Sequence, residues 1–210
     1  MHGMKKIFRL VTAGLALSIM CPLLAIGQTT FGVQGGLNMS DATVDGPTPF
    51  VTASEGNFFL GFTAHNPLSK RWSLSSEVQI TKRGFFLYQV RSVSENRVGL
   101  QTLYLDAASS IEYHVFKNIS LQLGSYAGYR LAEYDQLVGA DAWIKAVLPM
   151  TDNWDLGLQA GAITRFHRWA AFVRFSHGLK PVARLEVPDQ SGTIKIFNRG
   201  LEVGAGYAFF

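Results

Sequence analysis

The sequence has a single cysteine, Cys21, and it falls inside the apolar stretch at the N-terminus. Once that stretch is removed, the chain can form no disulfide and has no thiol for metal binding or nucleophilic attack. There is no second uncharged run of the 18 or more residues that a transmembrane helix needs. No glycine-rich phosphate loop occurs, and no basic stripe marks a nucleic-acid surface. The histidines are scattered and give no metal-ligand spacing. Helical cofactor pockets, disulfide scaffolds, zinc sites and nucleic-acid partners are thereby set aside, and no cofactor is expected.

The first 27 residues explain the early charge excess. Lys5, Lys6 and Arg9 precede an uncharged run from 10 to 26, and Ala25-Ile26-Gly27 supplies small residues at a cleavage spacing. This is the pattern of a secretory signal peptide. Removing residues 1–27 leaves 183 residues (210 − 27), enough for one domain over 28–210. It also removes three bases and no acid, so the formal charge of +4 falls to +1.

Alternation of apolar with small or polar residues then recurs eight times. The segments are 30–40, 58–66, 72–81, 103–113, 119–131, 154–163, 169–178 and 195–209. A period of two is the signature of a strand with two unlike faces. The connections alternate in length. The first, third, fifth and seventh (41–56, 82–99, 132–153 and 179–193) are predicted as long loops, and the others as tight turns. Long loops at one end and short turns at the other are the habit of outer-membrane barrels. Within 132–153, Trp143 with Val147 and Ile144 with Leu148 stand at i,i+4 spacing, which predicts a short helix or ordered loop on the barrel mouth.

The two faces decide between barrel and sandwich. Glu77, Asp106, Glu112, Arg130, Asp155, Arg174 and Glu202 all share the small or polar face with many glycines and alanines. A narrow lumen requires that mixture, because opposing side chains must fit and opposite charges must pair. Tyr104, Tyr126, Phe59 and Phe172 fall on the same face and are expected to help plug it. The other face carries no charge, and lipid is the apolar medium that covers it. The predicted fold class is an all-β, eight-stranded antiparallel up-and-down transmembrane barrel with long extracellular loops and short periplasmic turns. Trp72, Tyr113, Trp169 and Phe209 are expected in an aromatic belt at the short-turn end, with Tyr129 and Trp154 in a second belt at the long-loop end. Tyr207, Phe209 and Phe210 close the chain on aromatics, as a substrate of the barrel-assembly machinery does.

Several stretches together resemble the PorT-like outer-membrane beta-barrel family of the Bacteroidetes. They are Phe31-Gly32-Val33-Gln34-Gly35-Gly36-Leu37-Asn38, Leu68-Ser69-Lys70-Arg71-Trp72-Ser73-Leu74, Tyr104-Leu105-Asp106, Gly124-Ser125-Tyr126-Ala127-Gly128-Tyr129, Arg174-Phe175-Ser176-His177-Gly178-Leu179 and Gly204-Ala205-Gly206-Tyr207-Ala208-Phe209. The resemblance spans 29–210 and implies an eight-stranded barrel in the outer membrane. It departs at Ala107-Ala108, where the family usually carries an Ile-Pro pair. It implies no defined activity, although the founding member supports protein export by the type IX pathway.

The expected function is a non-enzymatic barrel with a structural or interaction role through its long loops. Its partners are outer-membrane lipid, the assembly machinery and a possible protein bound by the loops. An accessory barrel of a type IX-like export system is the alternative. A lipid-modifying enzyme needs Ser and His within hydrogen-bond reach, and the adjacent Ser176 and His177 point to opposite faces. His65 is expected to face inward, near Glu77. A porin-like pore is disfavoured because eight strands leave a lumen only wide enough for side chains.

Overall fold

The chain is described by a computed structural model covering residues 29–46, 50–89, 97–136, 144–145, 153–186 and 193–209. Its strands are β1 (Thr30–Asp45), β2 (Phe50–Pro67), β3 (Trp72–Gln89), β4 (Arg97–His114), β5 (Ile119–Gln136), β6 (Ile144–Lys145), β7 (Trp154–Phe166), β8 (Trp169–Gly178), β9 (Ala183–Glu186) and β10 (Thr193–Ala208). Eight of these pair antiparallel in the order β1-β2-β3-β4-β5-β7-β8-β10, and β1 pairs with β10 to close the ring. The short β6 adds to β5 and the short β9 to β10. The closing ladder runs from Gly32 opposite Ala208 to Asp45 opposite Lys195. Among the described residues there is no helix.

The alternation read from the sequence sets the two surfaces. Phe31, Leu37, Leu60, Phe62, Leu123 and Trp169 are exposed on the outside, while Gln34, Glu77, Asp106, Glu112, Arg174 and Glu202 are buried inside. Close approach across the lumen uses missing side chains. A Cβ on Gly204 would lie 2.7 Å from Phe172 Cζ and 2.8 Å from Phe59 Cζ, so those two rings pack over a bare backbone.

Four expectations about the connections need correction. Residues 41–56 and 82–99 are not long loops: β1 and β2 leave only 46–49 between them, and β3 and β4 only 90–96. Residues 132–136 continue β5, and Ile144–Lys145 is a strand pairing with Tyr134 and Asp135 instead of a helix. The reason is that β7 begins only at Trp154, so β5 above Tyr129 loses its β7 neighbour, and β6 pairs there instead. Trp143, Val147 and Leu148 lie outside the described residues. Residues 183–186 of the fourth loop form β9.

Strand length makes the outer rim uneven. β2, β3, β4 and β5 have 18 residues each, whereas β7 has 13 and β8 has 10. A tilted strand crosses a membrane in about 9–11 residues. The long strands therefore rise well beyond the lipid, and β7 and β8 barely do. In the raised wall the faces exchange character. On β1, inward Asn38 and Ser40 give way to inward Ala42 and Val44, and outward Leu37 and Met39 give way to outward Asp41. On β3, inward Arg83 is followed by Phe85 and Leu87, and on β10 inward Asn198 is preceded by Ile194 and Ile196. With Leu100, Val182 and Ala183 these form a buried apolar cluster inside the rim. The exposed Arg199–Asp41 pair, 2.5 Å apart on adjacent strands, stands where the outer surface turns from apolar to charged.

The wall contains one irregularity that β1 repairs. The β2–β3 register shifts between Ser54 and Phe59, leaving part of β3 without its neighbour. Side chains of β1 take over. Gly84 N–H donates to Ser40 Oγ at 2.7 Å, Ser40 Oγ donates to Gly84 O at 2.9 Å, and Asn38 Nδ2 donates to Lys82 O at 3.1 Å. Ser40 is 1% exposed, so water cannot replace it. Ser40→Ala is expected to leave the Gly84 groups unsatisfied and to lower unfolding free energy by about 1–3 kcal/mol. Denaturant titration of the micelle-refolded barrel checks this.

Candidate functional site in the barrel lumen

Polar residues fill the lumen in three linked groups. At the lower-middle level, Arg174 on β8 reaches Glu77 and Gln79 on β3 and Glu202 on β10. Its Nη1 pairs with Glu77, its Nε lies 2.5 Å from Glu202 Oε2, and its Nη2 donates to Gln79 Oε1 at 2.9 Å. Gln34 Nε2 donates to Glu77 Oε2 at 2.5 Å, and Gln159 Nε2 donates to Glu77 Oε1 at 3.2 Å. The guanidinium also lies 5.2 Å from the centre of the Phe172 ring and 5.9 Å from that of Phe59. One cation thus ties three strands and two aromatic rings together.

The second group centres on Arg83. Its Nη2 lies 2.5 Å from Asp106 Oδ2 and its Nη1 3.3 Å from Asp155 Oδ2. The rings of Tyr104 and Tyr126 flank it, each centroid 5.0 Å away. Asn198 Nδ2 donates to Asp155 Oδ2 at 2.9 Å, and Tyr126 Oη donates to the same carboxylate at 3.3 Å. Asp155 is 0% exposed and Asp106 1%. Space for this group comes from Gly128, where a Cβ would meet Asp106 Oδ1 at 2.4 Å and Arg83 Nη1 at 3.3 Å. Two carboxylates around one guanidinium, with a tyrosine and an asparagine donating to Asp155, is how a charge survives burial.

The third group lies at the short-turn end. Arg165 holds Glu112 through both nitrogens, at 2.6 and 2.8 Å, and His65 Nε2 stands 3.5 Å from Glu112 Oε2. Beside it, His114 lies between two hydroxyls, with Nε2 2.6 Å from Ser73 Oγ and Nδ1 2.7 Å from Ser120 Oγ. Ser73 is 0% and Ser120 2% exposed. Both hydroxyls are engaged by the imidazole.

The family model for the outer membrane protein beta-barrel domain matches residues 27–184. The chain belongs to this family. No curated protein matches it by sequence. Among solved structures, Neisserial surface protein A (NspA) superposes with a TM-score of 0.51 at 13% identity, over 85% of this chain and 97% of that one. Ail, the attachment invasion locus protein of Yersinia pestis, gives 0.44 at 16% identity over 87% and 99%. OmpT, the outer membrane protease of Escherichia coli, gives 0.35 at 9% identity over 86% and 95%. The NspA likeness shows the fold alone. As a member of the outer membrane barrel family, the chain has an outer-membrane location, and its apolar outer face meets lipid.

Most residues singled out in the sequence lie on the lumen wall, but two assignments change. Glu77, Asp106, Glu112, Asp155, Arg174 and Glu202 are buried inside. Arg130 turns to the outer mouth, where it pairs with Glu133 at 2.6 Å and with Asn153 at 2.7 Å. The cation between Asp106 and Asp155 is Arg83, within the stretch 82–99 that the sequence pattern predicts as a loop. A bulge between Leu103 and Tyr104 sets Arg130 opposite Tyr104, one step above the carboxylates. His65 meets Glu112 and not Glu77, because the register pairs His65 with Ser75 and Thr63 with Glu77. Ser176 is buried and His177 exposed, on opposite faces. The aromatics form contacting pairs: Trp72 with Tyr113 at 4.8 Å, Trp169 with Tyr207 at 5.0 Å, and Tyr129 with Trp154 at 5.1 Å. Tyr207 also meets Phe209 at 6.2 Å, and Phe210 lies outside the described residues.

The network yields a comparison. Arg83→Gln strands two buried carboxylates and is expected to cost about 3–5 kcal/mol. Arg130→Ala removes a single part-buried pair, with Glu133, and strands one carboxylate, so it is expected to cost less, about 1–2 kcal/mol. The temperature at which the unboiled gel band converts to the boiled one ranks the two variants. An equal or larger drop for Arg130→Ala would refute the assignment of Arg83 as the central cation.

Proposed function

We propose that the chain is a closed, non-enzymatic outer-membrane barrel, exported with residues 1–27 removed, whose role is structural or interactive and is exercised through its raised outer rim. The observation that carries this reading is the filling of the lumen at successive levels. Arg174 and Arg83 hold polar networks across the membrane-spanning part, and the apolar cluster of Phe85, Leu87, Leu100, Ile194 and Ile196 stands above them. A solute would have to break paired charges and then displace a packed apolar layer. The raised wall offers exposed side chains such as Val51 and Tyr134 to a partner outside the lipid.

The finer reading, an accessory barrel of a type IX-like export system, rests on the resemblance to the PorT-like family in the stretches around Phe31, Arg71, Asp106, Tyr126 and Arg174. Catalysis is disfavoured by the burial of Ser73, Ser120 and Ser176 and by the separation of Ser176 from His177. The C-terminal aromatics Tyr207, Phe209 and Phe210 serve in this reading as the signal to the assembly machinery.

Reconstitution into a planar bilayer tests the closed lumen. The protein is expected to show the faster unboiled gel migration of a folded barrel and no steady conductance steps. Regular steps from a protein that shows the band shift would overturn the closed-barrel reading.

A further inference from the structure

Among the described residues, the three short turns carry charge of one sign only. The turn at 68–71 contains Lys70 and Arg71, the turn at 115–118 contains Lys117, and the turn at 167–168 contains His167 and Arg168; none contains an acid. All five side chains are exposed. The acids nearest in sequence to these turns, Glu77, Glu112 and Asp155, are buried in the lumen and already held by Arg174, Arg165 and Arg83. The periplasmic face of the barrel is therefore cationic and without compensating surface acids on its turns.

A cavity of about 190 Å³ opens in the wall of the lumen at this same end. Arg168 and His167 stand on its rim, and Ile163, Ala170 and Phe172 give it an apolar side. Gln122 lines it as well. That residue is 8% exposed, and its amide nitrogen has no hydrogen-bond partner. A buried amide donor left unpaired by protein groups is unusual in a native interior, and an acceptor entering the cavity would satisfy it. The turn that presents Arg168 is held in an uncommon shape, with His167 at φ 54°.

We propose that this cavity is a binding site for a monocarboxylate with a short apolar chain, entering from the periplasm. Arg168 supplies the charge at the rim, Gln122 a neutral donor within, and Ile163 and Phe172 the surface for the carbon chain. One negative charge suits the site better than two, because of the three arginines that line it Arg174 is already paired with the lining Glu77 and Arg165 with Glu112 behind it, which leaves Arg168 alone to meet an anion. The carboxylate chemistry is common to a free organic acid and to the C-terminus of a peptide. This site goes beyond the closed-barrel reading and stands whether or not the outer rim binds a partner.

The test uses the ¹⁵N-labelled mature barrel in detergent micelles, with butyrate, butyramide, inorganic phosphate, and an Ala-Ala-Val peptide with free or amidated C-terminus as probes. Butyrate or the free peptide is expected to shift the Gln122 side-chain amide saturably, with a Kd of about 1 mM or below. Butyramide and the amidated peptide are expected to leave it unmoved. Arg168→Gln is expected to weaken binding about ten-fold while keeping the gel shift of a folded barrel, and Lys117→Gln to leave binding unchanged. If Arg168→Gln does not fold, Arg168→Lys replaces it, with a smaller loss expected from losing the planar fork. Tighter binding of the free peptide than of butyrate assigns the peptide source, and equal binding assigns the organic acid. The proposal is overturned by no saturable shift with either carboxylate, by equal shifts from butyramide, by tighter binding of phosphate, or by unchanged affinity in the Arg168 variant.

Discussion

Hydrogen bonding of the backbone in a medium without water is the constraint on which this structure rests. Every amide inside the bilayer must find a protein partner, and the pairing of β1 with β10 removes the last open edge. The same demand explains smaller features. Where β2 bulges away from β3, the β1 side chains Asn38 and Ser40 bond to Lys82 O and to both backbone groups of Gly84. Above the point where β7 ends, β6 pairs with β5. Side chains and short strands enter wherever the regular ladder stops.

Closure creates a second demand, since a ring of eight strands encloses a space that must be filled. Within the lipid the filling is ionic and aromatic, with Arg174 and Arg83 each shared between carboxylates and ring faces. Beyond the lipid the outside meets water, and the filling becomes ordinary core: Phe85, Leu87, Ile194 and Ile196. The strand backbone does not change at this boundary. Only the solvent outside changes, and the residues follow it.

That exchange is also why the sequence disclosed the barrel more readily than its upper third. Strand count, the two faces and the closed fold were legible because lipid-facing positions such as Leu60, Phe62 and Leu123 alternate with small or polar ones. At Arg83, Phe85 and Leu87 the period of two continues with the same parity, but the inward residues become apolar and the pattern resembles a break. Arg83 was lost with that stretch, and Arg130, the nearer inward cation on paper, took its place. Exact partners were not legible either. His65 meets Glu112 because of strand register and tilt, and neither is visible in a single chain. Gly128 was the available hint: a residue without a side chain opposite Asp106 leaves room for a large neighbour.

The unequal strands give the molecule a bearing about the membrane normal. β2 to β5 form a tall parapet, and β7 with β8 form a low sill. A body sliding in the plane of the membrane meets a different obstacle from each side. From the parapet side it touches a long reach of strand surface, and from the sill side a much shorter one. Two such barrels set side by side are thus distinguishable by rotation alone, and a neighbour that recognises one must arrive on one heading.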